Sequence, residues 1–199
     1  MMKQRGKKAV SPVLATLMMV AVAVAMSVII FTWSQSFLSQ TSEAASGQQA
    51  AQNIAAQSGI LIESATFATS TDEVTIYIRN VGAVSNTIGS IIVTGRPDNT
   101  GMKSSVVLLV DISGNHPKVT ADPSSGAVSK LYVNGNEVTL NTSNDSDSDP
   151  LKGLQKGNSI SVLIDLTGTG NYNIESGDVI TIKVTTAAGT FAQATYTVP

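Results

Sequence analysis

Cysteine is absent from this chain of 199 residues, and histidine occurs once, as His116. Without cysteine the chain forms no disulfide and has no thiol nucleophile, and one histidine cannot build a zinc site that needs several His or Cys ligands. The sequence also lacks a Gly-x-Ser-x-Gly motif, a P-loop and a dinucleotide-binding pattern. His116 stands in a Gly-Asn-His-Pro segment, which is typical of a surface loop. The sequence therefore predicts no catalytic residue, no enzyme activity and no cofactor.

Charge is also scarce, since 13% of the residues are Asp, Glu, Lys or Arg and the net charge is −2. Four of the 12 basic residues, Lys3, Arg5, Lys7 and Lys8, lie within residues 1–9, where there is no acid. Without those nine residues, 8 basic residues remain against 14 acidic ones, a net charge of −6. An acidic chain without a basic cluster gives no support for nucleic-acid binding.

The longest pattern in the sequence is an uncharged run from Val10 to Ser42. Its almost wholly apolar part, Val13–Phe31, would cross most of a ~30 Å hydrocarbon layer as a helix rising ~1.5 Å per residue. A secretory signal has only ~7–15 apolar residues and a small-residue cleavage site after them, and no such site is evident here. The first charge after the run is Glu43. The positive-inside rule therefore places the N-terminus in the cytoplasm and everything beyond about residue 35 outside.

A helix is predicted to extend well beyond this membrane segment. Ser11 is the expected N-cap and Pro12 the first helical residue, where its missing N–H costs nothing. Residues 43–57 are rich in Ala and Gln, which favour helix. Ser58 and Gly59 are expected to end the helix, with Gly59 in the left-handed C′ position. This gives a helix of about 48 residues, or ~70 Å; the alternative is an anchor of about 25 residues followed by a flexible linker.

Two pairs of small residues within the run are spaced for helix packing. Ala21 and Ala25 form one small-xxx-small pair, and Ala23 and Ser27 form the other. Such pairs allow helix backbones to approach closely, as in a bundle of identical helices, although alanine is also common in membrane spans.

From residue 60 onward apolar and polar residues alternate, which predicts β-strands. Asn134-Gly135 and Ala188-Gly189 are typical hairpin turns. Eight or nine short strands suggest an antiparallel β-sandwich that is Ig-like in architecture only, because the Cys…Trp…Cys pattern is missing. The predicted fold class is α+β, with a long N-terminal hydrophobic helix (10–58) before the sandwich head (59–199). Predicted strands are 60–67, 73–80, 87–93, 105–112, 128–133, 137–140, 159–166, 180–185 and 191–198, and predicted irregular stretches are 95–104, 114–126 and 141–157.

One predicted loop contains two kinds of candidate site. Asn141 and Asn144 each begin an Asn-x-Ser/Thr sequon on the translocated side, so N-glycosylation is expected of at least one. Asp145, Asp147 and Asp149 have the spacing with which a calcium loop begins. However, Pro150 replaces the glycine of such a loop, and Lys156 stands where its bidentate Glu belongs. A solvated acidic loop is the preferred interpretation, and no metal is predicted.

The segment from Lys8 to Leu17, Lys-Ala-Val-Ser-Pro-Val-Leu-Ala-Thr-Leu, resembles the N-terminal signature of archaeal type IV pilins, which carry a class III signal peptide. The resemblance implies that a prepilin peptidase cuts between Ala9 and Val10, after the basic Lys8, and removes the leader 1–9. It further implies a β-rich head, a type IV pilus assembly ATPase and platform as partners, and polymerisation into a filament.

The resemblance has two departures. Leu14 occupies the fifth mature position, where bacterial type IV pilins usually carry Glu, so apolar packing would set the register of the subunits. Ala-Val-Ser-Pro replaces the Gly-rich junction of archaellins, which favours a pilin over an archaellin. The expectation is an adhesive extracellular filament at the cell surface, built by self-association and inserted in the cytoplasmic membrane before assembly. The alternatives are an archaellin of a motility filament and a non-polymerising, membrane-anchored binding domain.

Overall fold

The computed structural model describes residues 12–114, 117–121, 128–141, 146–168 and 172–199. The chain divides into two compact units, one ending at Ala50 and the other comprising Ala51–Pro199. Among the described residues, the first unit is helix, and the second contains the last turns of the same helix and the strands.

Helix α1 extends over 46 residues, from Pro12 to Gln57, which confirms the long continuous helix and rules out the short anchor with a flexible linker. The predicted N-cap, Ser11, lies outside the described residues. Gly47 is the only glycine in the helix, and Pro12 is its only proline, at a position where proline is tolerated. Leu, Met, Ala and Gln therefore continue the helix without an interior break.

The end of α1 differs from the prediction. Gly59 does not adopt a positive φ, so it is not a left-handed C′ glycine. Instead Ser58 donates hydrogen bonds from its N–H and its hydroxyl to the carbonyl of Ile54, at 2.8 and 2.7 Å. The backbones of Gly59 and Gly82 touch, and glycine is needed at position 82 because a Cβ there would lie 2.5 Å from the Gly59 nitrogen. A close backbone approach thus takes the place of the expected cap.

Ten strands follow α1 within the described residues, and all pair antiparallel in two five-stranded sheets. The strand order is β1-β2-β8-β6-β7 in one sheet and β10-β9-β3-β4-β5 in the other. The strands are β1 (Ile60–Ala68), β2 (Glu73–Asn80), β3 (Ile88–Gly95), β4 (Ser105–Asp111), β5 (Lys118–Ala121), β6 (Lys130–Val133), β7 (Asn136–Val138), β8 (Ser159–Asp165), β9 (Val179–Thr186) and β10 (Phe191–Thr197).

The core lies between these two sheets. In β2, Val74, Ile76 and Ile78 are buried, and they alternate with more exposed neighbours; β9 does the same with Ile180, Ile182 and Val184. In both sheets every second residue of these strands is buried, and the buried residues of the two sheets belong to one apolar cluster. The predicted α+β fold with a β-sandwich head is therefore confirmed. The term "head" is used below for residues 60–199.

The nine predicted strands are present, but two elements were missed. β5 lies inside the stretch 114–126 that was predicted to be irregular, and it pairs with β4 through Val110 and Val119. A 3-10 helix, Ser146–Leu151, occupies part of the predicted irregular stretch 141–157. It is held because Leu151 is buried and the Ser148 hydroxyl donates to the Pro117 carbonyl at 2.9 Å. Both elements depend on partners distant in sequence.

Candidate assembly surface

The N-terminal part of α1 exposes apolar side chains around its whole circumference. From Val13 to Leu38 the large apolar side chains are between 53% and 77% exposed, and this stretch is called the apolar segment below. Among the described residues α1 is the one helix long and apolar enough to cross a membrane, and the most apolar part of it has no buried residue. Its large apolar residues are Val13, Leu14, Leu17, Met18, Met19, Val20, Val22, Val24, Met26, Val28, Ile29, Ile30, Phe31, Trp33, Phe37 and Leu38.

Hydroxyl groups in and just after the apolar segment bond to their own helix. The Thr16 hydroxyl donates to the Val13 carbonyl at 2.9 Å, and the Ser27 hydroxyl donates to the Ala23 carbonyl at 3.0 Å. Thr32 and Thr41 donate in the same way to carbonyls three or four residues earlier. These bonds need no water, so the hydroxyls of Thr16, Ser27 and Thr32 can enter lipid or a dry helix bundle with their donors satisfied.

An aromatic pair lies near the C-terminal end of the apolar segment. Trp33 and Phe37 are one helical turn apart, and their rings stack at 5.8 Å between centroids with 16° between planes. After Leu38 the exposed residues become Ser, Gln, Thr and Ala, and Glu43 is the first charge. Trp33 thus marks the change from apolar to polar surface, as an interfacial tryptophan would.

The two small-residue pairs lie on different sides of α1. At 100° per residue Ala21 and Ala25 share one side, and Ala23 and Ser27 lie about 200° further round. The Ser27 hydroxyl is turned back to its own backbone, so this position presents little polar surface. Each pair leaves a place where another helix could approach closely, and their opposite placement offers two such places.

Two buried asparagines hold the residues that follow α1. The Asn86 side-chain nitrogen donates to the carbonyl of Gly59 at 3.0 Å and to the side-chain oxygen of Asn80 at 2.9 Å. The Asn80 side-chain nitrogen donates to the carbonyls of Val84 and Leu154, both at 2.8 Å. Asn80 and Asn86 are called the asparagine clamp below. No buried side-chain nitrogen or oxygen among the described residues lacks a partner, so the clamp is fully satisfied.

The clamp works with backbone hydrogen bonds to tie the end of α1 to strand β2. Val81 and Gly82 donate to the Gly59 carbonyl, both at 3.0 Å, and Ala83 donates to the Gln57 carbonyl at 2.8 Å. The sequence analysis did not single out either asparagine. The signal available was Asn80-Val81-Gly82 after a strand, which indicated only a turn.

The remaining predicted site residues are placed as follows. Lys8, Ala9, Val10, Asn144 and Asp145 lie outside the described residues, so cleavage and the second sequon stay predictions. Asn141 is exposed with φ 64°, and its N–H donates to the Val119 carbonyl at 2.9 Å. Its glycosylation also stays a prediction.

Two of the three carboxylates that have calcium-loop spacing can be placed. Asp147 and Asp149 lie in the 3-10 helix that begins at Ser146. Within the ranges that the structure covers, no three His, Cys, Asp or Glu side chains form a group that could hold a metal ion.

Two ionisable groups in the head have shifted pKa values. The N–H and hydroxyl of Ser113 hydrogen-bond Asp111 and hold the pKa of that fully exposed carboxyl below its usual 3.8. Partial burial beside Phe67 raises the pKa of Tyr196 above 10.0. Neither group lies in a cluster of acids and bases, so both shifts are local effects of packing and turn geometry.

No protein-family model and no curated protein sequence matches this chain. Among solved structures, it is similar to the archaellum periplasmic stator protein FlaG from Sulfolobus acidocaldarius, with TM-score 0.40, 18% identity, and coverage of 70% of this chain and 99% of FlaG. A complex of FlaF and FlaG from the same organism gives TM-score 0.39 and 18% identity over 69% of this chain and 87% of the other.

A third similar structure is that of the Iho670 flagellar-like filament, with TM-score 0.38 and 17% identity over 94% of this chain and 98% of that one. At these scores and identities the likenesses assign neither a family nor a function to this chain.

Proposed function

We propose that this chain is a non-catalytic structural subunit, a pilin, of an archaeal type IV pilus-like extracellular filament. The apolar segment of α1 is its assembly surface, first in the cytoplasmic membrane and then in the filament core. The β-sandwich head forms the outer surface of the filament and makes contact with other surfaces in adhesion.

The observation that carries this proposal is the uninterrupted exposure of the apolar segment. Transfer of apolar surface from water is favourable by about 25 cal/mol per Å². A helix that is apolar around its circumference must therefore be surrounded, by lipid or by other helices. Since the described residues cover none of its large apolar side chains, we infer that lipid or other helices cover them.

The length of α1 favours a bundle of helices over lipid alone. Residues 39–50 continue the helix beyond the apolar segment, and every one of them is exposed. A solvent-exposed stretch of this length is marginal as helix unless it packs against something. Equivalent helices in a filament would cover both the apolar segment and this continuation, whereas a bilayer covers only the first.

Maturation follows from the resemblance of residues 8–17 to archaeal type IV pilins. Prepilin peptidase removes residues 1–9 and with them four cations that hold the helix end at the cytoplasmic leaflet. The type IV pilus assembly ATPase and its membrane platform then extract the subunit into the filament. Because the junction lacks the glycines of archaellins, a pilin is preferred to an archaellin.

The test combines electron microscopy of sheared surface filaments with N-terminal mass spectrometry of the chain recovered from them. We expect filaments that contain this chain and a mature N-terminus at Val10. Filaments that lack the chain would overturn the proposal, and so would a chain that begins at Met1 or Met2 and stays in the membrane fraction. The second outcome is what a non-polymerising anchored domain would give.

A further inference from the structure

Within the part of the head that the structure describes, the two sheets have four edge strands, and three of them carry features that hinder pairing with another chain. β7 has three residues and includes Glu137, and β5 has four and begins at Lys118. β1 is irregular between Ile62 and Ser64, where it bulges around Glu63. Short length, charge and bulges are the usual ways in which natural sheets prevent edge-to-edge association.

The fourth edge, β10, has none of these features. Its seven residues, Phe191–Thr197, contain no charge, proline or glycine, and their register with β9 is unbroken. Each of the other three edges carries at least one protecting feature. β10 is therefore the edge of the described head that is best suited to accept another strand.

The hydrogen bonds to β9 show which peptide groups of β10 point outward. Thr186 donates to the Thr190 carbonyl at 2.8 Å, and Val198 donates to the Asp178 carbonyl at 2.8 Å. Even-numbered residues of β10 therefore bond to β9, and the alternation of an antiparallel ladder directs the odd-numbered peptide groups away from it. The outward residues are Phe191, Gln193, Thr195 and Thr197, and their side chains are exposed.

We propose that β10 is a self-association edge, which pairs antiparallel with β10 of a second copy of this chain about a two-fold axis at Ala194. This register overlaps the whole strand and opposes Phe191 to Thr197 and Gln193 to Thr195. The outward N–H and C=O groups of both copies then form about eight hydrogen bonds. The two β10-containing sheets become one continuous sheet.

A second copy suits this edge because the strand is complementary to itself. On the exposed face, an aromatic residue meets a β-branched one at Phe191 and Thr197, which is a favourable cross-strand pair. On the other face, Tyr196 meets Ala192, so a large side chain faces a small one. No charge opposes a like charge, because β10 has none. A charged partner strand would find no opposite charge on β10.

This inference does not depend on the proposed function. It needs only an exposed edge strand and a second copy, and it would hold equally for an anchored chain that never forms a filament.

Disulfide cross-linking gives a sharp test because the chain has no cysteine of its own. Two full-length chains with different tags, one carrying Gln193→Cys and the other Thr195→Cys, are co-expressed and oxidised at the cell surface. Opposed residues in a hydrogen-bonded antiparallel pair have Cα atoms about 5.5 Å apart, which suits a disulfide. We expect the mixed disulfide dimer to exceed either homodimer at least fivefold.

The matched control uses the opposite edge of the same sheet, with Lys118→Cys on one chain and Thr120→Cys on the other. These positions have the same two-residue spacing on an edge strand. Equal cross-linking at β5 and β10 would mean that the heads collide without pairing, and it would overturn the proposal. A β10 homodimer as abundant as the mixed dimer would overturn the stated register. All four substitutions lie outside the buried core, so folding is not at issue.

Discussion

Isoleucine has opposite surroundings in the two parts of this molecule. Ile29 in α1 is 61% exposed, whereas Ile76 in β2 is fully buried. Val and Ile occur around both positions, but their pattern differs. Apolar residues are nearly continuous in the apolar segment, whereas in β2 they alternate with polar residues such as Thr75 and Arg79. A helix that is apolar all round has to be covered by lipid or by other helices. Strands with alternating apolar residues cover one another's apolar faces inside the head.

Polar groups show the same contrast. In α1 the hydroxyls of Thr16, Ser27 and Thr32 bond to carbonyls three or four residues away, so their partners are local. In the head, Asn80 bonds to Leu154, which is 74 residues away in sequence. The helix is therefore expected to tolerate substitutions that leave it apolar, while the head is sensitive to the loss of single distant partners.

The largest effect is expected from a charge placed in the apolar segment. Val22→Asp should cost about 2.5–3.5 kcal/mol in the middle of a membrane span, and it would bury an unpaired carboxylate in a helix bundle. Filament yield, counted by electron microscopy, should fall at least about tenfold. Leu109→Asp, on an exposed apolar position of β4, is the control and should leave the yield unchanged. Equal losses from both would contradict the contrast.

The second prediction compares the same substitution, isoleucine to alanine, in the head and in the helix. Ile76→Ala should lower the free energy of unfolding of the head by about 2–5 kcal/mol because it leaves a cavity in the core. Ile29→Ala should leave that free energy unchanged. Denaturant unfolding of the full chain in detergent, followed by tyrosine near-UV signals, measures both, because all four tyrosines lie in the head while Trp33 is the only tryptophan. A loss of similar size in both variants would contradict it.

A third, smaller effect is expected at the asparagine clamp. Asn80→Ala leaves the carbonyls of Val84 and Leu154, the Gly82 N–H and the Asn86 amide without this partner, and should cost about 2–3 kcal/mol. The same unfolding assay applies. Asn136→Ala, at an exposed position of β7, should change the result by less than about 0.5 kcal/mol. Indistinguishable values would show that the clamp contributes nothing to stability.

The fourth prediction tests close approach between helices. Ala25→Leu adds bulk at a small-residue pair and should weaken assembly by about 1–3 kcal/mol, seen as a lower dissociation temperature of the filaments. Val24→Leu adds bulk at a neighbouring position outside both pairs and should have less effect. If the two variants dissociate together, Ala21 and Ala25 are not at a helix contact.

The smallest effect concerns acid. The pKa of Asp111 is lowered in the folded head by its bonds to Ser113, so its contribution is present above the unfolded pKa and is lost as pH falls through the folded one. Stability should therefore decline slightly more below the usual Asp pKa for the wild type than for Asp111→Asn. Unfolding at pH 6 and pH 3 measures the difference. A steeper decline in the variant would reverse the sign and contradict the prediction.

The sequence predicted the elements whose pattern is local and missed those that depend on distance. The helix and nine strands show period and turn signals, including Asn134-Gly135, whose positive φ values of 51° and 84° fit the hairpin. β5 contributes only one fully buried residue, Val119, and follows Pro117, so its four residues have no readable alternation. Gly59 was assigned to a helix cap because its contact with Gly82 appears only after folding.

The same limit applies to the candidate site. An uncharged apolar run can be recognised from composition alone, so the exposed apolar segment that we propose as the assembly surface was predictable. Asn80 and Asn86 have no motif, because their partners at Gly59, Val84 and Leu154 meet only in the folded head.

The hydrogen bonds at the end of α1 also determine how a pulling force would travel through the molecule. Tension along the helix passes through the backbone into β1, an edge strand that pairs with β2. Just before that strand, Val81, Gly82 and Ala83 hold the carbonyls of Gly59 and Gln57. Because these bonds tie the junction to the residues after β2, part of the load passes to an inner strand that pairs with both β1 and β8.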